Sequence, residues 1–379
     1  MAGGARAERD GRGPEIIELS SVPGFVVFDL PGVPVSAGGT RLAADVSVAE
    51  VALLARAMTY KYAVLGVRVG GAKAGVRGDP ADHEAKADLM ARFCAEIAPL
   101  ADTGRLVTGP DMGTTEDDFT PLRQSHAVPT AITAVVDGVP FEDLLTGYGV
   151  AAAAEAALSA RDDAGADRGL AGRSVAIEGF GKVGGGVAHE VTRRGGRVVA
   201  VSTLAGCLAD PSGLDVEALL ALRRTHGDAC VQHYGRPAGP PAELFTAVDA
   251  DVLVPGTRPG VISGRTAGSL PAGVLVVAPA ANVPYTAQGA EVLRERGIVA
   301  LPDFVCNVGA VLGYRAESDA TPDQVLASVG ATISGLILDL MDHPGGPLAA
   351  AYERGDEFLR GWWGEPPGPA FAPEDGSTA

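Results

Sequence analysis

Cysteine is scarce in this chain. Four residues in 379, Cys94, Cys207, Cys230 and Cys306, are scattered, form no Cys-x-x-Cys pair and have no histidine pair beside them. That excludes a disulfide-stapled scaffold and a zinc site of ordinary spacing, and points to reduced thiols in the cytoplasm. Positive charge is also short. Thirty Lys and Arg stand against 47 Asp and Glu, giving a formal net charge of −17 and a pI near 4.7. A surface of that sign argues against nucleic acid or an anionic membrane as partner. Aromatics are 5% of the chain, and no basic cluster has them interleaved. No apolar run reads as long enough to span a bilayer. Residues 1–12 lack a hydrophobic signal core and read as a disordered arm. There is no internal repeat. The six histidines (His83, His126, His189, His226, His233 and His343) are scattered in polar or helical settings and are assigned no chemistry.

What is present is a chain of two-domain length. Hydrophobic residues at 46% and charged residues at 20% are those of a globular protein. One stretch stands out: Arg68-Val-Gly-Gly-Ala-Lys-Ala-Gly-Val-Arg-Gly-Asp-Pro80 sets a single lysine, Lys73, among small residues. The glycines allow a backbone, or a flat substrate, to come close. The apolar residues ahead of it point to burial, and a lysine withdrawn from water gives up its proton more readily. Taken alone, a glycine-rich turn with a solvated lysine is the more ordinary outcome.

Around it, Phe25-Val-Val-Phe-Asp-Leu30 reads as a strand. Ser47-Val-Ala-Glu50 opens a helix with Val51, Leu54, Ala57 and Met58 on one side. Lys61 falls near the end of that helix, and spacing alone favours a surface lysine that suits the dipole. Pro80 and the acidic residues after it start a second helix with Leu89, Met90, Phe93 and Ile97 buried. Asp111 then sits in the tight loop Thr108-Gly-Pro-Asp-Met-Gly113, either capping a turn or serving as an acid beside Lys73.

A helix is expected from Thr146 to Ala160, ended by the polar segment 161–169. Ser174–Glu178 reads as a buried strand, Gly179-Phe180-Gly181-Lys182-Val183-Gly184 as a G-x-G-x-x-G turn, Val183–Arg194 as a helix and Arg197–Ser202 as a second strand. In that order they form a dinucleotide-binding unit, the glycines allowing the tight turn and the helix start facing the pyrophosphate. The second strand ends in Ser202 and Thr203 instead of the acid that holds the NAD ribose, and Arg197 and Lys182 are near in sequence, which leans from NAD toward NADP. Strands at 251–255 and 274–278 end in Gly256, Thr257 and Ala281-Asn282, placed to meet the cofactor. A further strand (297–301), a helix entered through Pro302–Gly309 and a helix from Gln324 to Met341 follow, and the Pro/Gly-rich tail from Gly364 reads as loose.

Gly38-Gly39-Thr40-Arg41, Met58-Thr-Tyr-Lys61, Gly70-Gly-Ala-Lys73-Ala-Gly75, Gly78-Asp-Pro80, Thr108–Gly113, Thr146-Gly-Tyr-Gly149, Gly179–Gly184 and Pro302–Asn307 together resemble the glutamate/leucine/phenylalanine/valine dehydrogenases, in the spelling of the leucine-type branch. The resemblance implies an α/β fold of two domains with a cleft between them: residues 1–145 for substrate and oligomerisation, 146–305 as the Rossmann domain, 306–363 as helices returning to the first domain, and 364–379 as tail. It implies reversible oxidative deamination of an L-amino acid to a 2-oxo acid and ammonia with NAD or NADP, by a homo-oligomer. Lys73 and Asp111 would be the acid/base pair, Lys61 would bind the substrate carboxylate with Gly38 and Gly39 beside it, Thr146 and Asn282 would hold the nicotinamide and its ribose, and Asn307 would lie near the amine. Glutamate-specific members carry a lysine where this chain has Ala37, so a non-acidic substrate is expected. The alternatives are a specialised relative acting on an unusual imine or amino acid, and a catalytically silent nucleotide-binding protein.

Overall fold

The computed structural model describes residues 13–125, 129–136, 139–161 and 169–374. The expected arm at 1–12, His126, most of the polar segment after Arg161 and the tail beyond residue 374 lie outside the described residues. Chain contacts divide the protein into two compact units, 1–127 with 354–370 and 128–353 with 371–377.

The first unit is built on a mixed sheet. Strands β1 (Glu15–Glu18), β2 (Gly24–Phe28), β3 (Ser36–Ala37) and β4 (Thr40–Leu42) precede helix α1 (Val48–Val64), then β5 (Gly70–Val76), α2 (His83–Asp102) and β6 (Leu106–Val107). The sheet order is β1-β2-β5-β3-β6, and β4 also pairs with β5. Strand alternation sends Ala72, Ala74 and Val76 of β5 into a core with Val26, Phe28, Met90, Phe93 and Ile97. Gly71 faces α1. Its amide donates to Thr59 Oγ1 at 3.0 Å, and that hydroxyl donates to the buried Asp29 carboxylate at 2.6 Å. A Cβ on Gly71 would sit 1.9 Å from the Ala55 carbonyl oxygen, inside the helix backbone. Gly71→Ala should therefore destabilise this unit by about 3 kcal/mol or more, because neither strand nor helix backbone can yield. A urea melt within 1 kcal/mol of the parent would refute that close approach.

In the second unit a hairpin, β7 (Val135–Val136) and β8 (Val139–Pro140), leads into α3 (Phe141–Arg161), which starts five residues before the expected Thr146. Next come β9 (Ser174–Glu178), α4 (Lys182–Arg193), β10 (Arg197–Thr203), β11 (Gly206–Ala209), α5 (Val216–His226), α6 (Leu244–Ala247) and β12 (Val252–Pro255). After them run α7 (Gly264–Ser269), β13 (Val276–Val277), α8 (Ala287–Glu295), β14 (Val299–Ala300), α9 (Asp303–Cys306), α10 (Gly309–Gly313), α11 (Pro322–Met341) and the start of α12 (Gly346–Trp362), whose residues from Arg354 on belong to the first unit. The sheet order is β11-β10-β9-β12-β13-β14, parallel except for β11. From β9 the chain goes to β10 on one side and later to β12 on the other. This reversal of strand order opens a crevice at the carboxyl ends of β9 and β12.

Three expectations change here. Helix α11 is long and apolar enough to cross a membrane by length and composition, contrary to the sequence reading. It lies on α3, with Ile333 against Gly149 and Gly330 against Tyr148, and buries Val325, Val329, Ile337 and Leu340 on that one face. Residues 306–363 do not all return to the first unit. Of these only 354–363 do so, followed by 364–370 of the tail, because α10 and α11 pack on α3. Nor is the described part of the tail loose. The carbonyls of Pro367 and Gly368 accept from Arg56, the Phe371 ring packs at a tilt against that of Tyr352, and Ala372 N donates to Tyr285 O.

Candidate active site

Two glycines let the substrate side of the first unit close up. A Cβ on Gly38 would lie 1.7 Å from the Ala72 carbonyl oxygen, and one on Gly39 would lie 2.6 Å from that of Pro110. The chain can therefore thread between β5 and the Asp111 loop only because both positions lack side chains. Just beyond, β4 pairs with Ala74–Val76 while Thr40 N donates to Gly109 O and Leu42 N to Met112 O. Thr114 Oγ1 donates to Thr40 O and accepts from Asp111 N, both at 2.9 Å, so the loop carrying Asp111 is anchored to the strand.

This arrangement delivers Asp111 to Lys73. Lys73 lies on β5 opposite Val27, is 5% exposed, and its Nζ is 2.8 Å from Asp111 Oδ2. The solvated-lysine alternative is overturned. Lys61 is also buried, at 4%, which corrects the surface placement that helix spacing favoured. The reason is that the last turn of α1 is covered on nearly every side. Ala37 is buried on β3 between β5 and β6, and Gly38 and Gly39 follow it half-buried.

Arg41 belongs to the site, although the sequence reading gave it no role. It is buried, its Nε is 3.6 Å from Asp111 Oδ2, and it forms a second ion pair with Glu50. Burial pushes the Asp111 carboxyl up, but Lys73 and Arg41 outweigh it and hold Asp111 well below the usual carboxylate range. A group so held rests ionised at neutral pH.

In the second unit the Gly179–Gly184 turn lies at the crevice. Gly179 has φ +87°, and a Cβ on Gly184 would meet Gly179 O at 2.1 Å, so helix and strand touch backbone to backbone. The N-cap of α4 is Gly181, which supplies no side-chain cap, leaving the first-turn amides to an outside acceptor. Lys182 is exposed in that turn, Val183 half-buried and Phe180 buried. Phe180 N donates to Ser202 O, and Gly179 N to Ser202 Oγ, which ties the turn to the end of β10. These residues fit a dinucleotide pyrophosphate.

Glu178 is a second residue that sequence reading missed. Its carboxylate accepts from the amides of Gly256 (2.9 Å) and Thr257 (3.1 Å) and from the Thr257 hydroxyl. Burial pushes its pKa up against these donors. The donors of Gly256 and Thr257 are thus turned inward, and these residues border the glycine turn through Thr257 Cγ2. Arg197 is corrected. It opens β10, at the opposite end from Ser202 and Thr203, and donates to Pro211 O.

Asn307 Nδ2 donates to Asn282 Oδ1 at 3.0 Å and to Ala280 O at 3.1 Å, while its own Oδ1 is buried without a hydrogen-bond partner. Next to Asn282, Val283 has φ +52°, a strained value for a β-branched residue, held by a hydrogen bond from its amide to the buried Asp303. Thr146 lies on α3, half-buried, its hydroxyl 3.4 Å from Glu142 O.

Family models match both compact units. The family model "Glutamate/Leucine/Phenylalanine/Valine dehydrogenase" matches residues 138–322, and the model of the family's dimerisation domain matches residues 28–126. The chain belongs to this family. Its members are NAD(P)-dependent amino acid dehydrogenases, oxidoreductases acting on a CH–NH2 group. A glutamate dehydrogenase of Thermotoga maritima is 34% identical over 286 residues, 72% of this chain and 67% of the relative. Glutamate dehydrogenase A2 of Halobacterium salinarum is 32% identical over 287 residues, 73% of this chain and 67% of the relative. Among solved structures, the hetero-hexameric glutamate dehydrogenase of Thermus thermophilus in its Leu-bound form superposes with a TM-score of 0.73 at 29% identity, covering 89% of this chain and 84% of that one. The L-tryptophan dehydrogenase of Nostoc punctiforme shares the fold, with a TM-score of 0.60 at 21% identity over 92% of this chain and 97% of that one. The family stands on these matches, and the leucine-type branch does not follow from them.

Proposed function

We propose that this dehydrogenase carries out the reversible NAD(P)-dependent oxidative deamination of a non-acidic L-amino acid, with Lys73 and Asp111 as the proton-transferring pair. The observation that carries the reading is the 2.8 Å Lys73–Asp111 contact beside the Gly38–Gly39 passage. The cofactor, bound at the Gly179–Gly184 turn, supplies the acceptor for the hydride from Cα. The remaining work is proton transfer. The substrate amine must lose a proton before oxidation, water must add to the resulting imine, and ammonia must leave. Asp111, held ionised, accepts from the amine. Lys73, after giving up its own proton to solvent, takes one from the attacking water and returns it to the departing nitrogen. Lys61 meets the α-carboxylate with its charge, and the Asn307 Oδ1 acceptor suits an N–H donor of the substrate amine.

Relatives named glutamate dehydrogenases pull toward an acidic substrate. Ala37 pulls the other way, since a side-chain carboxylate buried without a cation there would cost roughly a few kcal/mol. Arg41 is already engaged by Glu50 and Asp111, and Lys73 by Asp111. The test offers NADPH and NADH, ammonia and a panel of 2-oxo acids, followed at the reduced-nicotinamide absorbance band. Branched or aromatic oxo acids should be reduced faster than 2-oxoglutarate, and Ala37→Lys should raise turnover on 2-oxoglutarate relative to them by about tenfold, one favourable buried contact. Faster parent turnover on 2-oxoglutarate would end the non-acidic assignment. The matched dimerisation domain supports a homo-oligomer, which light scattering measures directly.

A further inference from the structure

In a dinucleotide fold the group beyond the second strand decides between NAD and NADP. Here that strand, β10, ends in Ser202 and Thr203, both buried and both engaged: Ser202 Oγ accepts from Gly179 N, and Thr203 Oγ1 donates to the Asp228 carbonyl at 2.7 Å. The Thr203 bond draws the segment after α5 against the strand end. Asp228 in that segment pairs with Arg223 of α5, Nη1 to Oδ1 at 2.9 Å. The same guanidinium reaches the glycine-rich turn, its Nη2 standing 3.9 Å from where a Cβ on Gly181 would lie. Arg223 is thus about one-quarter exposed, fixed by a carboxylate, and set between the Gly181 turn and the end of β10. No side-chain carboxylate sits on the strand end itself to repel an anion.

We infer that Arg223 receives the 2′-phosphate of NADP(H), with Asp228 as the residue that aims its guanidinium. This rests on the dinucleotide reading of the crevice and names its selectivity. A guanidinium presents two parallel N–H donors to a phosphate, and one pair of donors remains when Nη1 is held by Asp228. The assignment moves the source of selectivity from Arg197, at the wrong end of the strand, to a residue contributed by the following helix.

The test is direct binding, read by quenching of protein fluorescence or by calorimetry. NADPH, NADH, 2′,5′-ADP and 5′-ADP are titrated into the intact enzyme and into Arg223→Ala and Arg223→Gln, with thermal melts as a folding control. Parent protein should bind NADPH more tightly than NADH, and 2′,5′-ADP more tightly than 5′-ADP. Each variant should lose roughly 20-fold in affinity for NADPH and for 2′,5′-ADP, as for one charge-assisted contact, while NADH and 5′-ADP move less than about twofold. Asp228→Asn keeps an oxygen acceptor that aims the guanidinium but removes the negative charge beside the phosphate, so it should strengthen NADPH without strengthening NADH. Equal losses for both cofactors in the Arg223 variants, or parent affinity for 2′,5′-ADP no better than for 5′-ADP, would make Arg223 a packing partner of Asp228 and overturn the assignment. Binding of NADH with no effect of Arg223 defeats this inference alone. Binding of neither cofactor by the parent defeats the dinucleotide reading and this inference with it.

Discussion

Lys73→Ala should lower kcat for oxidative deamination by roughly 10³-fold, within the range that one positioned acid–base group supplies. The expectation rests on geometry. Lys73 is the cation 2.8 Å from Asp111, it is buried on a strand, and its same-face neighbours on β5, Gly71 and Gly75, carry no side chain to crowd its head group. Truncation removes the group that would take a proton from water and return it to nitrogen, and it leaves Asp111 facing Arg41 at 3.6 Å. Cofactor affinity should be unchanged, because the glycine turn belongs to the other compact unit. Lys73→Arg separates charge from chemistry: it preserves a cation for Asp111 but exchanges protons poorly, so it should fold like the parent and remain slow. Steady-state rates together with single-turnover measurements decide the matter. A fall in kcat of less than tenfold in Lys73→Ala would remove this lysine from proton transfer.

Asp111→Asn carries the second large effect, on rate and on stability. The amide cannot accept the amine proton, so kcat should drop by roughly 10²-fold or more. The stability effect has a defined pH window. The folded pKa of Asp111 is depressed below its ordinary value of 3.8, because Lys73 and Arg41 outweigh the cost of burial. Its ionised form therefore stabilises the fold in full above about pH 4, and that contribution drains only as pH falls through the depressed folded value. The substitution should destabilise by about 2 kcal/mol at neutral pH, leaving two cations without their shared carboxylate. The gap between parent and variant should stay level from pH 8 to pH 5 and narrow below pH 4. Urea melts at several pH values test it, and a gap that widens on acidification would mean that Asp111 is not held ionised.

Much of this was legible in the chain. The order strand, glycine turn, helix, strand fixed the crevice, because those glycines answer to backbone contacts only a few residues away. Lys73 and Asp111 were legible as a pair only through the family motifs, since no local spacing ties residues on a strand and on a distant loop. The rest depends on tertiary packing. Lys61 looked like a surface residue because helix periodicity says nothing about what covers a last turn. Arg41 was visible in its motif, yet its contact with Asp111 depends on how β4 threads past the loop. Glu178 and Arg223 act across strand ends and a following helix, and the strain at Val283 has no sequence signature. The tail misled because Pro/Gly composition describes the unfolded chain, whereas its order comes from carbonyls that accept from Arg56 and a ring that finds Tyr352.

That last stretch has a practical side. Arg56 grips Pro367 and Gly368 with one arm of its guanidinium and the buried Asp29 with another, while Ala372 pairs with Thr286 and Glu374 accepts from Gly264 N. A protease nick between residues 364 and 371 would strip acceptors from one compact unit and release a ring and a strand bridge from the other. Limited digestion should then register twice, as a lowered melting temperature in each unit, and a shortened expression product ending near Gly364 would arrive already weakened in both.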